Sequence, residues 1–155
     1  EKYGSMFKAL AVFSFTWNGI PLLYSGQELG NTKRIDFFDK DTIVAGPWAT
    51  ELTGFYQSLI KLKSTHPALK AGDPSVTTYR LTTTDDRHVL AFLRKKGNRE
   101  VLVVLNLSDQ KDLHFEITGT EVTGQYKNAF SGAANDFTNE RSFELQDWEF
   151  AVYEK

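Results

Sequence analysis

The chain has 155 residues, of which 41% are hydrophobic and 14% aromatic, enough apolar side chain for a packed core. Its 18 basic and 20 acidic residues are interspersed and leave no basic stripe for phosphates, so we expect no nucleic acid partner. The absence of cysteine excludes disulfides, and the longest apolar-rich segment, Met6 to Trp17, is far shorter than the roughly 20 residues of a membrane span.

The first predicted element is a helix. Its apolar residues recur at three- and four-residue spacing, at Tyr3, Met6, Phe7, Leu10, Phe13 and Trp17. No Ser, Thr, Asp or Asn precedes Tyr3 to cap the first turn, so we expect the native polypeptide to continue upstream. Asn18 and Gly19 predict the end of the helix, because both residues tolerate the left-handed conformation.

The segment from Gly19 to Glu28 predicts a buried parallel strand. Ile20 to Tyr24 is an apolar run without alternation, which is typical of strands covered on both faces. Gln27 and Glu28 then place polar groups at its carboxyl end. A single strand cannot form a parallel sheet, so we expect its neighbours to come from residues outside this sequence.

A long connection and a second helix follow. Leu29 to Ala49 exceeds the usual loop length, and its aromatic and aliphatic residues indicate that it packs. We predict that Thr50 caps the helix and that Ser64 to Pro67 ends it. The predicted buried face consists of Leu52, Phe55, Tyr56, Leu59, Ile60 and Leu62.

Beyond Gly72 the hydrophobic period changes from that of helices to that of strands. Turn-forming residues, among them Asn135 and Asp136, separate seven predicted strands, Val76–Thr82, Val89–Leu93, Val101–Leu107, Leu113–Ile117, Glu121–Gln125, Ser142–Leu145 and Phe150–Tyr153. Short strands at this spacing predict an antiparallel sandwich or barrel. Both faces of Val101–Leu107 are apolar, so we place that strand centrally.

Five residues of the strand segment carry a family resemblance. Gly19, Pro21, Tyr24, Gly26 and Glu28 match the pattern G-x-P-x-x-Y-x-G-x-E that closes the barrel in the α-amylase family of glycoside hydrolases. The order of helix, strand, loop, helix and β region also resembles the end of such an enzyme. The resemblance implies the C-terminal fragment of a (β/α)8 TIM barrel in residues 1–70, followed by an antiparallel β-sandwich domain in residues 71–155.

The resemblance also implies a function. It implies a retaining glycosidase that acts on α-glucans such as starch and maltooligosaccharides, with a carboxylate nucleophile and a carboxylic general acid/base. In the family these groups and a third aspartate come from strands four, five and seven, all upstream of residue 1. We therefore expect no catalytic residue and no hydrolysis in this chain alone, and we expect upstream barrel residues and, through the full enzyme, an α-glucan as its partners.

Four residues are candidates for substrate binding. Glu28 either orients neighbouring groups and the loop or forms an ion pair at the barrel rim. Gln27 either faces the sugar or holds the loop. Arg34 and Asp36 lie where many family members place an arginine and an aspartate against a sugar, and the alternative for both is a solvated loop charge.

We predict no metal site and no cofactor in this chain, whereas a calcium ion can belong to the full enzyme. Asp39 and Asp41 are too few and are separated by a lysine. His66, His88 and His114 lie far apart in the sequence and lack the spacing of metal ligands.

The β region has two further interpretations. Its main predicted role is to shield the last barrel helix and stabilise the enzyme, since the apolar face of that helix must be buried. The alternative is a non-catalytic α-glucan-binding module, in which exposed aromatic residues stack on sugars. The candidates for stacking are Tyr79, Tyr126 and Trp148 in this region and Trp48 in the segment before it, although packing in the core or at a domain interface is the commoner role of such residues.

Overall fold

The computed structural model of the protein describes residues 4–155, so the predicted helix start at Tyr3 lies outside the described residues. Two α-helices precede the sheets: α1 spans Phe7–Thr16, after a 3-10 turn at Gly4–Met6, and α2 spans Ala49–Thr65, before a 3-10 turn at Pro67–Leu69. The strands are β1 (Thr77–Leu81), β2 (Val89–Lys96), β3 (Arg99–Asn106), β4 (Leu113–Glu116), β5 (Gln125–Asn128), β6 (Ala134–Asp136), β7 (Ser142–Leu145) and β8 (Phe150–Glu154).

All strand pairs are antiparallel. Six strands form one sheet in the order β1-β2-β3-β8-β5-β6, and β4 pairs with β7 in a second sheet. At the centre of the large sheet, Val103 on β3 lies opposite Phe92 on β2 and Val152 on β8. The predicted antiparallel, sheet-rich architecture is therefore confirmed.

The large sheet is covered on both faces. The small sheet covers one face, and Phe115 and Phe143 from it join Leu102 and Val104 in the sandwich interior. The helices cover the other face, where the shared core consists of Val12, Phe15, Tyr56, Leu59, Phe92, Val101, Val103, Leu105 and Val152 together with their neighbours. Strand β3 is buried on both sides, as its two apolar faces predict.

Five local predictions are wrong. The connection Leu29 to Ala49 was expected to pack, but its aromatic residues Phe37 and Phe38 are 91% and 93% exposed. The predicted strand Glu121–Gln125 lies mostly before β5, which begins at Gln125, and β6 forms where Asn135 and Asp136 indicate a turn. Helix α2 begins at Ala49 after Trp48, which makes no side-chain cap, so Thr50 is already inside the first turn. Ile60 is 47% exposed because it points away from the sheet, unlike the neighbouring Leu59.

The predicted parallel strand is not formed within residues 4–155. The segment from Ile20 to Tyr24 has no regular secondary structure and joins neither sheet. Ile20, Leu22 and Tyr24 are 88%, 81% and 67% exposed. A strand needs hydrogen-bonded neighbours, and the described residues supply none to this segment. The barrel fragment in residues 1–70 and the boundary after residue 70 remain predictions.

In the described part of the chain, no helix has the length and apolar character that crossing a membrane requires.

Candidate functional site

A compact turn holds the candidate site after the Ile20–Tyr24 segment. Backbone amides of Gln27 and Asn31 donate to the carbonyls of Tyr24 and Gly26 at 3.0 and 2.9 Å. Gly26 has a φ of +91°, and a Cβ there would lie 2.9 Å from a methyl carbon of Ile43. Both the backbone conformation and the available space therefore require glycine at this position.

The side chains of Gln27 and Glu28 fold back onto this turn. Oε1 of Gln27 accepts from the amide of Tyr24 at 3.2 Å, and Oε2 of Glu28 accepts from the amide of Gly26 at 3.0 Å. The carbonyl of Glu28 accepts from the Thr53 hydroxyl at 3.2 Å, which ties the turn to α2. Of the interpretations for Glu28, this geometry favours orientation of the loop over an ion pair.

A buried hydroxyl on α2 lies close to the same turn. The Tyr56 side chain is 1% exposed, and its oxygen has no hydrogen-bond partner among the described residues. The carboxamide of Gln27 lies near it but outside hydrogen-bond geometry. Burial raises the pKa of Tyr56, so the phenol is neutral, and it is a donor available to a polar group at this position.

The loop beyond the turn is organised by Asp41. Its carboxylate pairs with the Lys33 ammonium and accepts from the amides of Asp36 and Thr42 at 2.9 and 2.7 Å. The hydrogen bond from Lys33 and the two amides lower the pKa of Asp41 to about 2. The sequence does not reveal this role, because Lys33 and Asp41 are eight residues apart and follow no recognisable pattern.

The structure places the four predicted site residues in two groups. Gln27 and Glu28 share the turn, whereas Arg34 and Asp36 lie on the loop with exposed side chains. No hydrogen bond or ion pair among residues 4–155 joins the two groups, and none includes the Arg34 side chain. Over the same range no three metal-ligating side chains form a cluster.

A second concave feature was not predicted. It is a groove of about 600 Å³ lined by residues of α1, α2 and the turn between β7 and β8, including Trp148. Of the four aromatic candidates, Tyr126 is buried, Trp148 is partly exposed, and Tyr79 and Trp48 are 42% and 65% exposed. Residues far apart in the sequence form the groove, so no local pattern indicates it.

Comparison with known proteins agrees with this architecture. Residues 79–152 match the family model of the maltogenic amylase C-terminal domain. The chain is 28% identical over 145 residues to alpha-amylase 2 of Dictyoglomus thermophilum, covering 86% of this chain and 23% of that protein. It is 31% identical over 121 residues to a cyclomaltodextrinase of Thermoanaerobacter pseudethanolicus, covering 74% of this chain and 20% of the relative.

A solved structure has the same fold. The maltogenic alpha-amylase AmyB of Thermotoga neapolitana superimposes with a TM-score of 0.77 at 18% identity, covering 98% of this chain and 36% of that one. Together with the antiparallel sheets, these matches define the class as a sheet-rich C-terminal region of an amylase. The chain is similar to the C-terminal portion of members of the α-amylase family of glycoside hydrolases. It spans about a fifth of the length of the curated relatives it matches.

Proposed function

We propose that this chain is the C-terminal part of a retaining glycosidase that acts on α-glucans such as starch and maltooligosaccharides. The match of residues 79–152 to the maltogenic amylase C-terminal domain carries the proposal. The relatives are named as an alpha-amylase and a cyclomaltodextrinase, which supports an α-glucan substrate. The catalytic carboxylates belong, on this proposal, to polypeptide upstream of these residues.

Residues 1–70 are proposed to complete a (β/α)8 barrel. The supporting observation is the exposure of Ile20, Leu22 and Tyr24, an apolar row without a partner among the described residues. Upstream barrel strands on both sides would bury this row and supply its missing hydrogen bonds. Residues 71–155 then stabilise the barrel, since their large sheet buries the apolar face of α2.

Gln27, Glu28, Arg34 and Asp36 are proposed to lie at the substrate. Gln27 and Glu28 shape the turn through their bonds to the backbone amides of Tyr24 and Gly26. Arg34 is exposed and its guanidinium is free of ion pairs within residues 4–155, so its donors are available to sugar hydroxyls. The amide of Asp36 is held by Asp41, which fixes the backbone while the Asp36 carboxylate stays exposed.

Hydrolysis assays test the proposal. The native polypeptide that carries these residues should release products of retained anomeric configuration from maltoheptaose, whereas the 155-residue chain alone should give no turnover above a blank. Arg34→Ala in the native polypeptide should raise KM by roughly tenfold or more, as loss of a charged hydrogen bond does. Lys40→Ala removes another exposed cation of the same loop and should leave KM unchanged. Turnover by the isolated chain, or a native polypeptide without activity on α-glucans, contradicts the proposal.

A further inference from the structure

The groove beside Trp148 is an open concave surface that lies apart from the turn of Gln27 and Glu28. At about 600 Å³ it lies within the range of pockets that bind small molecules. The paired side chains of Lys8 and Glu51, from the first turns of α1 and α2, form one side. The turn from β7 to β8 forms the other, and Phe55, 8% exposed, lies at the base.

Two aromatic rings are available to a ligand in this groove. Phe130 stacks on Phe55 with ring centroids 5.8 Å apart and an interplanar angle of 13°, and it remains 36% exposed. Trp148 is partly exposed, and in the described part of the chain its indole stacks on no other aromatic ring. An aromatic face carries partial negative charge and attracts the C–H groups that line one side of a sugar ring.

The turn that presents Trp148 is held by hydrogen bonds to its backbone. Trp148 has a φ of +56°, a conformation that bulky residues rarely adopt. Its amide donates to the Ser108 carbonyl at 3.1 Å, and Nδ2 of Asn106 donates to the Gln146 carbonyl at 2.8 Å. The backbone that presents the indole is therefore fixed before any ligand arrives, which reduces the entropy that the turn loses on binding.

The charges of the groove select among ligand classes. Glu51, Asp147 and Glu149 contribute three carboxylates and Lys8 a single ammonium group. This negative balance disfavours phosphates and other anions. Carboxylates accept hydrogen bonds from hydroxyl groups, so a neutral molecule with many hydroxyls and an apolar ring face fits both the charge and the aromatic lining.

We propose that this groove binds an α-glucan chain, with Trp148 and Phe130 stacking on its sugar rings. The choice of an α-glucan over other neutral sugars rests on the proposed function. Binding here would hold the polysaccharide on the protein at a place separate from the turn of Gln27 and Glu28. It would raise the local concentration of glucan near the enzyme without any part in bond cleavage.

The proposal can be tested on the 155-residue chain with maltoheptaose as the probe. The protein contains three tryptophans, Trp17, Trp48 and Trp148, so three indole N–H signals are expected in a proton–nitrogen correlation spectrum. Addition of maltoheptaose should shift the Trp148 signal in a saturable manner and leave those of Trp17 and Trp48 in place. Calorimetric titration gives the affinity of the same complex.

Three variants separate the groove from other surfaces. Trp148→Gly removes the indole at a φ that glycine adopts freely, so the turn is retained, and it should weaken binding at least tenfold. Phe130→Leu keeps an apolar side chain but loses the aromatic face, and it should weaken binding several-fold. Phe38→Ala removes an exposed aromatic ring of the loop before α2 that does not line the groove, and it should leave affinity unchanged.

Several results would overturn the inference. The first is that maltoheptaose does not bind. The second is that the wild type and both groove variants, shown to be folded by circular dichroism, bind maltoheptaose with equal affinity. The third is that the wild type binds cellohexaose, whose sugars are β-linked, as tightly as maltoheptaose. The proposed function is judged separately by hydrolysis. If the native polypeptide is active on α-glucans but this chain does not bind them, only the groove site is contradicted. If this chain binds maltoheptaose but the native polypeptide is inactive, only the proposed enzyme function is contradicted.

Discussion

Tyr126 donates its phenolic hydrogen to Oε2 of Glu100, a carboxylate only 5% exposed on β3. The other oxygen of Glu100 accepts from Lys95 Nζ at 2.6 Å. Burial opposes the charge of Glu100, but the hydrogen bonds from Lys95 and Tyr126 outweigh it and hold the pKa of Glu100 below its ordinary value. The pair joins β3 to β5, strands that are not neighbours in the sheet.

Tyr126→Phe should destabilise the protein. The substitution leaves a buried carboxylate with one hydrogen bond fewer, and such a loss costs about 1 to 3 kcal/mol. Tyr79→Phe removes the hydroxyl of an exposed tyrosine on β1 and serves as the matched control, with an expected change near zero. Urea unfolding of both variants measures the difference, and equal midpoints would show that the Glu100 contact contributes nothing.

Acid should weaken the fold through His66. This side chain is 4% exposed after α2, and its Nδ1 accepts from the amide of Ala68 at 3.3 Å. Its Nε2 is buried, with the Lys155 carbonyl near but outside hydrogen-bond geometry. Burial, and then the charge of Arg99, lower the pKa of His66 from its ordinary value of 6.5.

The direction of the pH dependence follows from that shift. Below pH 6.5, His66 binds a proton in the unfolded chain but not in the folded protein. The free energy of unfolding therefore decreases as the pH is lowered, until the pH reaches the lower pKa of folded His66. The slope contributed by one proton is at most about 1.4 kcal/mol per pH unit. His66→Asn, which retains an acceptor for the Ala68 amide, should flatten the profile between pH 5 and 8. His114→Asn, at an exposed histidine, should leave the pH profile unchanged. An unchanged slope in His66→Asn would mean that other groups cause the acid sensitivity.

Hydrophobic patterns in the sequence correctly predicted the elements that are buried on both faces. Strand β3 was placed centrally because both of its faces are apolar, and it is buried on both. Strand β6 was missed because Asn135 and Asp136 are turn formers, and the strand forms only through pairing with β5 at the sheet edge. Ile60 was expected in the core because the helical pattern does not distinguish the centre of an apolar face from its margin.

The candidate site was predictable in part. The sequence predicted a strand through Gly26, where the structure has a turn, and it left open whether Gln27 and Glu28 hold the loop or serve the sugar and the barrel rim. The structure directs one oxygen of each side chain to a backbone amide two or three residues away. The groove at Trp148 was beyond prediction because its sides come together only through the packing of α1 and α2 on the sheet.

Substitution by alanine at two adjacent residues of α2 should lower the free energy of unfolding by very different amounts. Leu59 is fully buried between the helices and the large sheet, whereas Ile60 is 47% exposed. Leu59→Ala should cost about 2 to 5 kcal/mol, through lost burial and the cavity that remains. Ile60→Ala should cost well under half as much in the 155-residue chain. Similar unfolding free energies for the two variants would mean that α2 does not pack on the sheet as described.

The turn that carries Gln27 and Glu28 should depend on a glycine far from it in the sequence. The amide of Gly46 donates to the Leu29 carbonyl at 2.8 Å, and a Cβ at Gly46 would lie 2.6 Å from the carbonyl oxygen of Gly30. Backbone at that distance cannot move aside cheaply, so Gly46→Ala should open the loop and speed proteolytic cleavage between residues 30 and 48.

Gly54→Ala provides the control for this effect. Gly54 lies inside α2, where a Cβ would meet no atom within 4 Å, so alanine there should stabilise the helix by about 0.5 to 1 kcal/mol. Thermal unfolding followed by circular dichroism measures the change in α2, and limited proteolysis measures the loop. Faster cleavage in Gly46→Ala together with unchanged or slower cleavage in Gly54→Ala attributes the effect to the contact with Gly30. Equal cleavage rates in the two variants would show that the loop conformation does not depend on the close approach of Gly46 to Gly30.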